Sequence, residues 1–444
     1  MNRRNMMKYA TATAVAAATV DASHAGGIGG KTDCTPVAAK PDPIADAAFY
    51  LPGYWPDSAY VGGIPAVRNK HFARAVPKNY SGNYQMLTRL GMDGSLTQAL
   101  FPVRGHDVDI SPDGKLGFFG SMERDNYICF DPETLDLISI GKPFAKGWIG
   151  GGHGTYLQGG KLLAVSERAP KVSYSGKPEK HYGRITLRDP ETLKVVESYS
   201  THGISPHDIC LLEDGRHLAI ANYGSVVPKK GKEYGTPRQV VEPSVTVIDL
   251  EDGKLVAKRT AEPGNIELRH LTARDIDRIF AIQVKLGKPG EEQSLLKNRQ
   301  YAYEADFSAQ EGESFLPAPV IALLQDKSRF SELGGEELHN FMRHGLSIRH
   351  DPDHGEVLAT FPSTHSLMIM DDSTGEIRQR IDTAALGLDY PCGLSLIPGS
   401  PFYAVSGYWK NLFIFRRGTH EPVRELCHYA SFFGHSHMTA VRTS

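Results

Sequence analysis

The sequence predicts an all-β fold, a seven-bladed β-propeller closed by shared N- and C-terminal strands. Three observations lead there. A four-strand unit recurs, in which a short apolar strand, a Ser-Pro-Asp-Gly-like turn, two further strands, a Pro-Glu-Thr or Glu-Asp-Gly turn and a last strand follow one another. Within each unit apolar and polar residues alternate between turn signals, the period of a half-buried strand. The composition agrees, since 45 Gly, 18 Phe and 19 Tyr in 444 residues suit short strands and turns better than long helices.

The chain divides in order as follows. Residues 1–25 pair a basic start with an apolar stretch from Tyr9 to Val20 and small residues before Gly26, which is the pattern of a cleavable export signal. The stretch is too short and too weakly apolar for a membrane span. Arg3-Arg4-Asn5-Met6-Met7-Lys8 resembles the twin-arginine motif, which implies export to the bacterial periplasm in the folded state; a Sec signal that happens to carry two arginines is the alternative. Residues 26–60 read as an N-terminal extension outside the ring, and residues 61–444 as the propeller. The clearest units start at His106, His153, His207 and His344, with weaker ones at His270 and Cys392. A fragment from Gly434, GHSHMTAV, supplies one strand of a seventh blade. The other three are expected from HFARAV near His71, YQMLTRLGMDGS from Tyr84 and LTQALFPV from Leu96. Such closure removes exposed strand edges. Eight blades or a pair of sandwiches remain the alternatives. Segments 169–181, 226–242 and 286–317, rich in Lys, Glu, Gly and Pro, read as surface insertions.

Charge excludes some roles. With 49 Lys+Arg against 51 Asp+Glu, no long-range field favours nucleic acid. Cleavage of the signal removes three positive charges and one negative and leaves a net charge of −4. Cys34, Cys129, Cys210, Cys392 and Cys427 are too few and scattered for a disulfide framework.

Aligned on their first strands, the units place His106, His153, His207, His270, His344, Cys392 and His437 in one column. First strands line the channel of a propeller, so six imidazoles and one thiol are expected to face a common space. His435, two residues before His437, points to the same strand face and joins them as a candidate ligand. The structural alternative is the histidine of WD repeats, hydrogen-bonded in a tetrad with Asp and Trp. Three Trp in the chain are too few for seven such tetrads. Imidazole is a ligand for Zn, Cu, Fe and Ni, and a thiolate beside it favours Cu or Zn. Asp107 and Asp208 directly follow column histidines and are placed to orient ring nitrogens. Arg104, Arg269 and Arg343 neighbour the column and are candidates to hold an anion over the site. For all five the alternative is an ordinary solvated charge or surface salt bridge.

Several stretches resemble the domain-of-unknown-function 1513 family of exported bacterial proteins. They are Gly152-His153-Gly154, Gly203-Ile204-Ser205-Pro206-His207-Asp208, the Ala-Asn-Tyr-Gly turn at Ala221, Glu242-Pro243-Ser244 and Ile266-Glu267-Leu268-Arg269-His270-Leu271. The resemblance implies a periplasmic propeller, often with a twin-arginine signal and in some bacteria associated with iron uptake, and no established activity. A more distant likeness is architectural. The propeller domain of nitrous oxide reductase also sets histidines from its blades around copper, and carotenoid cleavage oxygenases hold iron on four histidines. This chain lacks the C-terminal copper domain of the former.

The resulting expectation is an exported propeller whose histidine ring holds copper or iron, as the centre of a metal-dependent oxidoreductase. Its expected partners are the metal ion, a small anionic substrate, or a periplasmic redox or iron-uptake protein. Metal uptake or delivery without catalysis, and a scaffold without metal, remain open at the level of sequence.

Overall fold

The computed structural model describes residues 44–53, 60–61, 64–65, 85–122, 126–172, 174–226, 239–261, 266–285, 316–324, 327–408, 410–431 and 437–442. Seven four-stranded antiparallel sheets follow one another around an axis. Blade 1 contains Gly105–Ile110, Gly117–Ser121, Tyr127–Phe130 and Leu137–Gly141. Blade 2 contains Ile149–Leu157, Leu162–Arg168, Tyr182–Arg188 and Val195–Ile204, and blade 3 Pro206–Leu211, His217–Asn222, Ser244–Asp249 and Leu255–Thr260. Blade 4 is built of Ile266–Asp275, Arg278–Lys285, Ile321–Leu323 and Ser331–Glu332. Blade 5 has Ser347–Asp351, Glu356–Phe361, Ser366–Asp371 and Ile377–Asp382; blade 6 has Pro391–Leu396, Phe402–Gly407, Lys410–Arg416 and His428–Ser431.

Blade 7 closes the ring. Its inner strand is Thr439–Arg442, followed outward by Ala47–Pro52, Gln85–Gly91 and Leu96–Phe101. Ala47 pairs with Arg442 and Tyr50 with Thr439. The last two strands are those expected from Tyr84 and Leu96. The second corrects the expectation, because Ala47–Pro52 was assigned to an extension outside the ring and is instead its stitch. All six residues are buried. A strand covered on both faces carries no polar alternation, so period-2 reading passes over it. The segment near His71, and residues 1–43 with the expected signal, lie outside the described residues.

The repeat is held by its turns. At the end of the third strand of blades 1, 2, 3 and 5, Asp131, Asp189, Asp249 and Asp371 each accept backbone N–H groups with a side-chain oxygen, as in Asp131 Oδ1 with Glu133 N at 2.8 Å and Thr134 N at 2.9 Å. The residue four positions on, Leu135, Leu193, Gly253 or Gly375, then donates back to that Asp carbonyl from a left-handed conformation. Aspartate is used because its short carboxylate caps such a turn. Among the described residues the apolar side chains form a large cluster at each of the seven blade interfaces, with a small eighth around Cys392. Val108, Phe119 and Ile128 of blade 1 meet Tyr50, Leu87 and Phe101 of blade 7 in one of them. Phe49 and Leu51 meet Phe402, Leu412 and Ile414 of blade 6 in another. The remaining five join blades 1–2, 2–3, 3–4, 4–5 and 5–6. Seven interfaces for seven blades make a closed ring and set aside eight blades or paired sandwiches.

Candidate metal centre

The inner strands of neighbouring blades touch all the way round, each starting at the same end of the channel. Near that end five of them carry an irregularity at the column positions. In blade 1, Gly105 pairs with Ser121 and Val108 with Phe119, so the inner strand carries one extra residue around His106-Asp107. The same single insertion falls at His207-Asp208, Arg269-His270 and Cys392-Gly393, and a double one at Gly151-Gly152-His153. A bulge breaks the strict alternation of a strand and re-aims side chains. It is why His106 and Asp107, or His207 and Asp208, are buried side by side instead of pointing to opposite faces. The bulges also shift the phase: His106 and His207 lie two residues before the first regular pair, His153 and His270 one. The sequence column is thus not a regular circle but a cluster drawn together by bulges.

His106, His153, His270 and His437, all buried, present four ring nitrogens within 4.8 Å of one another. His437 Nε2 lies 2.9 Å from His106 Nε2. His207 packs against the group, with Nε2 3.1 Å from His270 Nε2, and its ring lies 4.6 Å from that of His153. Close backbone approach makes room. Gly150, Gly151 and Gly152 begin the inner strand of blade 2, and Gly152 has φ +110°; a Cβ there would sit 2.7 Å from His106 Cδ2.

Hydrogen bonds fix the tautomers. His153 Nδ1 lies 3.0 Å from Asp107 Oδ2 and 3.2 Å from Asp208 Oδ1, so carboxylates from the blades on either side grip one ring nitrogen. Its Nε2 is buried with no hydrogen-bond partner among the described residues. His207 Nδ1 donates to the Gly151 carbonyl, leaving the Nε2 lone pair toward the cluster. Burial, reinforced by the surrounding imidazoles, pushes His207 and His270 well below the usual histidine range, so both are neutral. Burial works the same way on His153, but Asp208 and Asp107 outweigh it and raise that ring. Asp107 feels burial too, yet His153 holds it low, whereas burial raises Asp208.

The other expected residues fall elsewhere. Cys392 is fully buried in an apolar cluster with Leu346, Tyr390 and Tyr408, and its thiol donates to the Tyr390 carbonyl at 3.1 Å. Burial alone pushes it far above the usual thiol range, so it is a packed thiol in a place where a thiolate was expected. His344 is buried but is not one of the four, and His435 lies outside the described residues. Arg269 does bear on the cluster: its guanidinium stacks over Tyr223 at 5.6 Å, 3.5 Å from Glu267 Oε2, and helps keep His270 neutral. Arg104 is half-buried at the start of blade 1. Arg343 turns back on its own chain, donating to the Asn340 carbonyl at 2.9 Å and Oδ1 at 2.8 Å.

Two residues were missed. Arg349 of blade 5 acts electrostatically on Asp107 and Asp109 of blade 1 and on Asp208 of blade 3, favouring the ionised form of each carboxylate. Asp109 accepts from Tyr156 N at 3.1 Å on the next inner strand, and burial together with Asp107 pushes its carboxyl up to about 7. Two residues beyond Asp107 and on the same strand face, Asp109 was visible as a second carboxylate in the HDVD run. Arg349, inside a polar Ile-Arg-His-Asp stretch, carried no signal.

The chain belongs to the family described as protein of unknown function DUF1513, which matches residues 99–439. By sequence, no curated protein matches it. Among solved structures it is similar to Kuenenia stuttgartiensis hydrazine synthase (15% identity, TM-score 0.51), covering 81% of this chain and 99% of that one. It is also similar to dihydro-heme d1 dehydrogenase NirN in complex with DHE (13%, TM-score 0.45, covering 90% and 76%). A third is the β-propeller domain of Cps50 (Swd1) from Myceliophteria thermophila (9%, TM-score 0.47, covering 77% and 90%). At these identities the likeness concerns the fold alone. What the fold and site define is a seven-bladed propeller with a buried histidine cluster that could hold a metal ion.

Proposed function

We propose that this propeller is an exported metalloprotein that holds one copper or iron ion on His106, His153, His270 and His437, with His207 beside it as a further nitrogen donor. The observation that carries this reading is the convergence of four buried ring nitrogens within 4.8 Å, one of them, His153 Nε2, without any other partner. Buried polar atoms are ordinarily satisfied, and an ion held between these rings would satisfy one nitrogen of each of the four. Neutral imidazoles suit copper, iron, zinc and nickel. The packing of Cys392 away from the four removes the thiolate argument for copper over iron.

The chain's own residues do the rest. Asp107 and Asp208 hold the His153 ring and supply negative charge near a divalent ion that four neutral ligands leave uncompensated. The His207 tautomer is set by Gly151, and the glycine run keeps bulk water out by bringing backbone against the rings. When bound, a copper or iron ion would supply redox chemistry or activate water or oxygen. Burial of all four histidines favours a resident ion over a transported one, and with it an oxidoreductase over a carrier. The basic, apolar N-terminal stretch and the family resemblance support a periplasmic location.

The test is elemental analysis of the full chain purified from its native compartment. The reading expects close to one equivalent of copper or iron, lost in His153→Ala while the far-ultraviolet circular dichroism is kept. Less than about a tenth of an equivalent of any transition metal after reconstitution, with no rise in melting temperature on metal addition, would falsify it, because a ligand that binds only the folded state must stabilise it.

A further inference from the structure

Over blades 1 and 2, the end of the channel at which the histidines cluster carries a local charge opposite to that of the molecule. Two loops leave blades 1 and 2 at that end: residues 142–148, after the outer strand of blade 1, and residues 169–181, after the second strand of blade 2. The pairings Gly105 with Ser121, Tyr127 with Gly141 and Ile149 with Arg168 put both loops at the end where the inner strands begin. Together they contain Lys142, Lys146, Lys171, Lys177 and Lys180 against the single carboxylate Glu179, in a chain of net charge −2. All six are exposed.

A run of lysines is ordinarily just a solvated face, but this one shares its loops with a fixed aromatic platform. Phe144 and Trp148 meet edge to face at 5.7 Å, with the Arg184 guanidinium 5.0 Å and 5.8 Å from the two rings. Arg184 is itself held by the Ser198 hydroxyl at 2.7 Å. The loop is anchored from below: Phe144 N donates to the buried Glu167 carboxylate at 2.6 Å, and Arg188 donates to the Lys142 carbonyl at 2.9 Å. Pro170 of the second loop packs 3.6 Å from where a Cβ on Gly147 would lie. Phe144 nevertheless remains 39% exposed and Val172 53%. Rigid, exposed aromatic and aliphatic side chains framed by one sign of charge are the composition of a protein contact surface, where aromatics carry the affinity and the charged rim steers encounter. A preorganised platform also avoids the ordering cost of docking.

We propose that this face of blades 1 and 2 docks an acidic protein partner, one presenting carboxylates and at least one apolar or aromatic side chain, beside the mouth of the histidine cluster. Trp148 immediately precedes the strand Ile149–Leu157, on which His153 lies five residues further along, at most roughly 16 Å of chain, so the docked partner sits within reach of the cluster. The inference stands on the surface itself and survives if the cluster binds no metal.

Full-length protein would be titrated with a short peptide rich in Glu that carries two aromatic residues, with its Gln-for-Glu counterpart, with phosphatidylglycerol vesicles and with an oligo(dT) strand. Saturable binding of the acidic peptide, weakened at least about tenfold both by raised salt and by the triple variant Lys146→Glu/Lys177→Glu/Lys180→Glu, supports the proposal. Trp148→Ala is expected to weaken binding with the salt dependence retained. Melting temperature and metal content of the variants should match the parent. Three outcomes overturn it: no saturable binding of the acidic peptide, an affinity unchanged by the triple variant, or tighter binding of the vesicles or the oligonucleotide than of the peptide.

Discussion

His153 is the residue on which the site turns, because it is gripped at Nδ1 by two carboxylates from different blades while its Nε2 faces the cluster. Removing either grip keeps the ring but loosens its direction and basicity. Asp107→Asn and Asp208→Asn are each expected to weaken metal binding by about 10–100-fold in competition with a chelator, with little change in secondary structure. The carboxylates were legible in sequence as neighbours of His106 and His207. What they orient was not, since both turn to the histidine of the blade between them. Cys392 shows the opposite error. It shares the column of the histidines, but a column cannot report that Tyr390, Tyr408 and Leu346 close around the thiol.

At the scale of the strand, the bulges explain why the fold could be read from periodicity and the site only in outline. Alternation located the inner strands within a residue or two, because Val108, Ile209 and Leu271 pack regularly into the blade interfaces. An inserted residue then shifts every side chain before it by one position, and no hydrophobic pattern marks that insertion. Blade 2 carries the larger shift and the glycines that permit it. Gly152→Ala is expected to force a methyl group against His106 and a side chain into a left-handed backbone, destabilising the fold by about 1–3 kcal/mol. Thermal unfolding measures that loss, and a parallel drop in metal affinity separates displacement of His106 from a purely local effect.

At the scale of the whole molecule, one blade is assembled from strands more than 300 residues apart. Recognition of the repeat, the missing strands and the closing fragment all came from sequence. The exception was Ala47–Pro52, hidden because it is buried on both faces. Phe49 of that strand is fully buried between blades 6 and 7, and Phe49→Ala is expected to cost about 3–5 kcal/mol, read as a fall in melting temperature of the entire ring and not of one blade. Closure also sets a timing. His106 and His437 face each other at 2.9 Å although 331 residues separate them, a gap that takes on the order of tens of seconds to synthesise. Until the last inner strand arrives, blades 1–4 supply only three of the four convergent nitrogens. Under the proposed metal assignment a chain that has not closed its ring lacks the fourth donor, so ion occupancy would report a finished molecule.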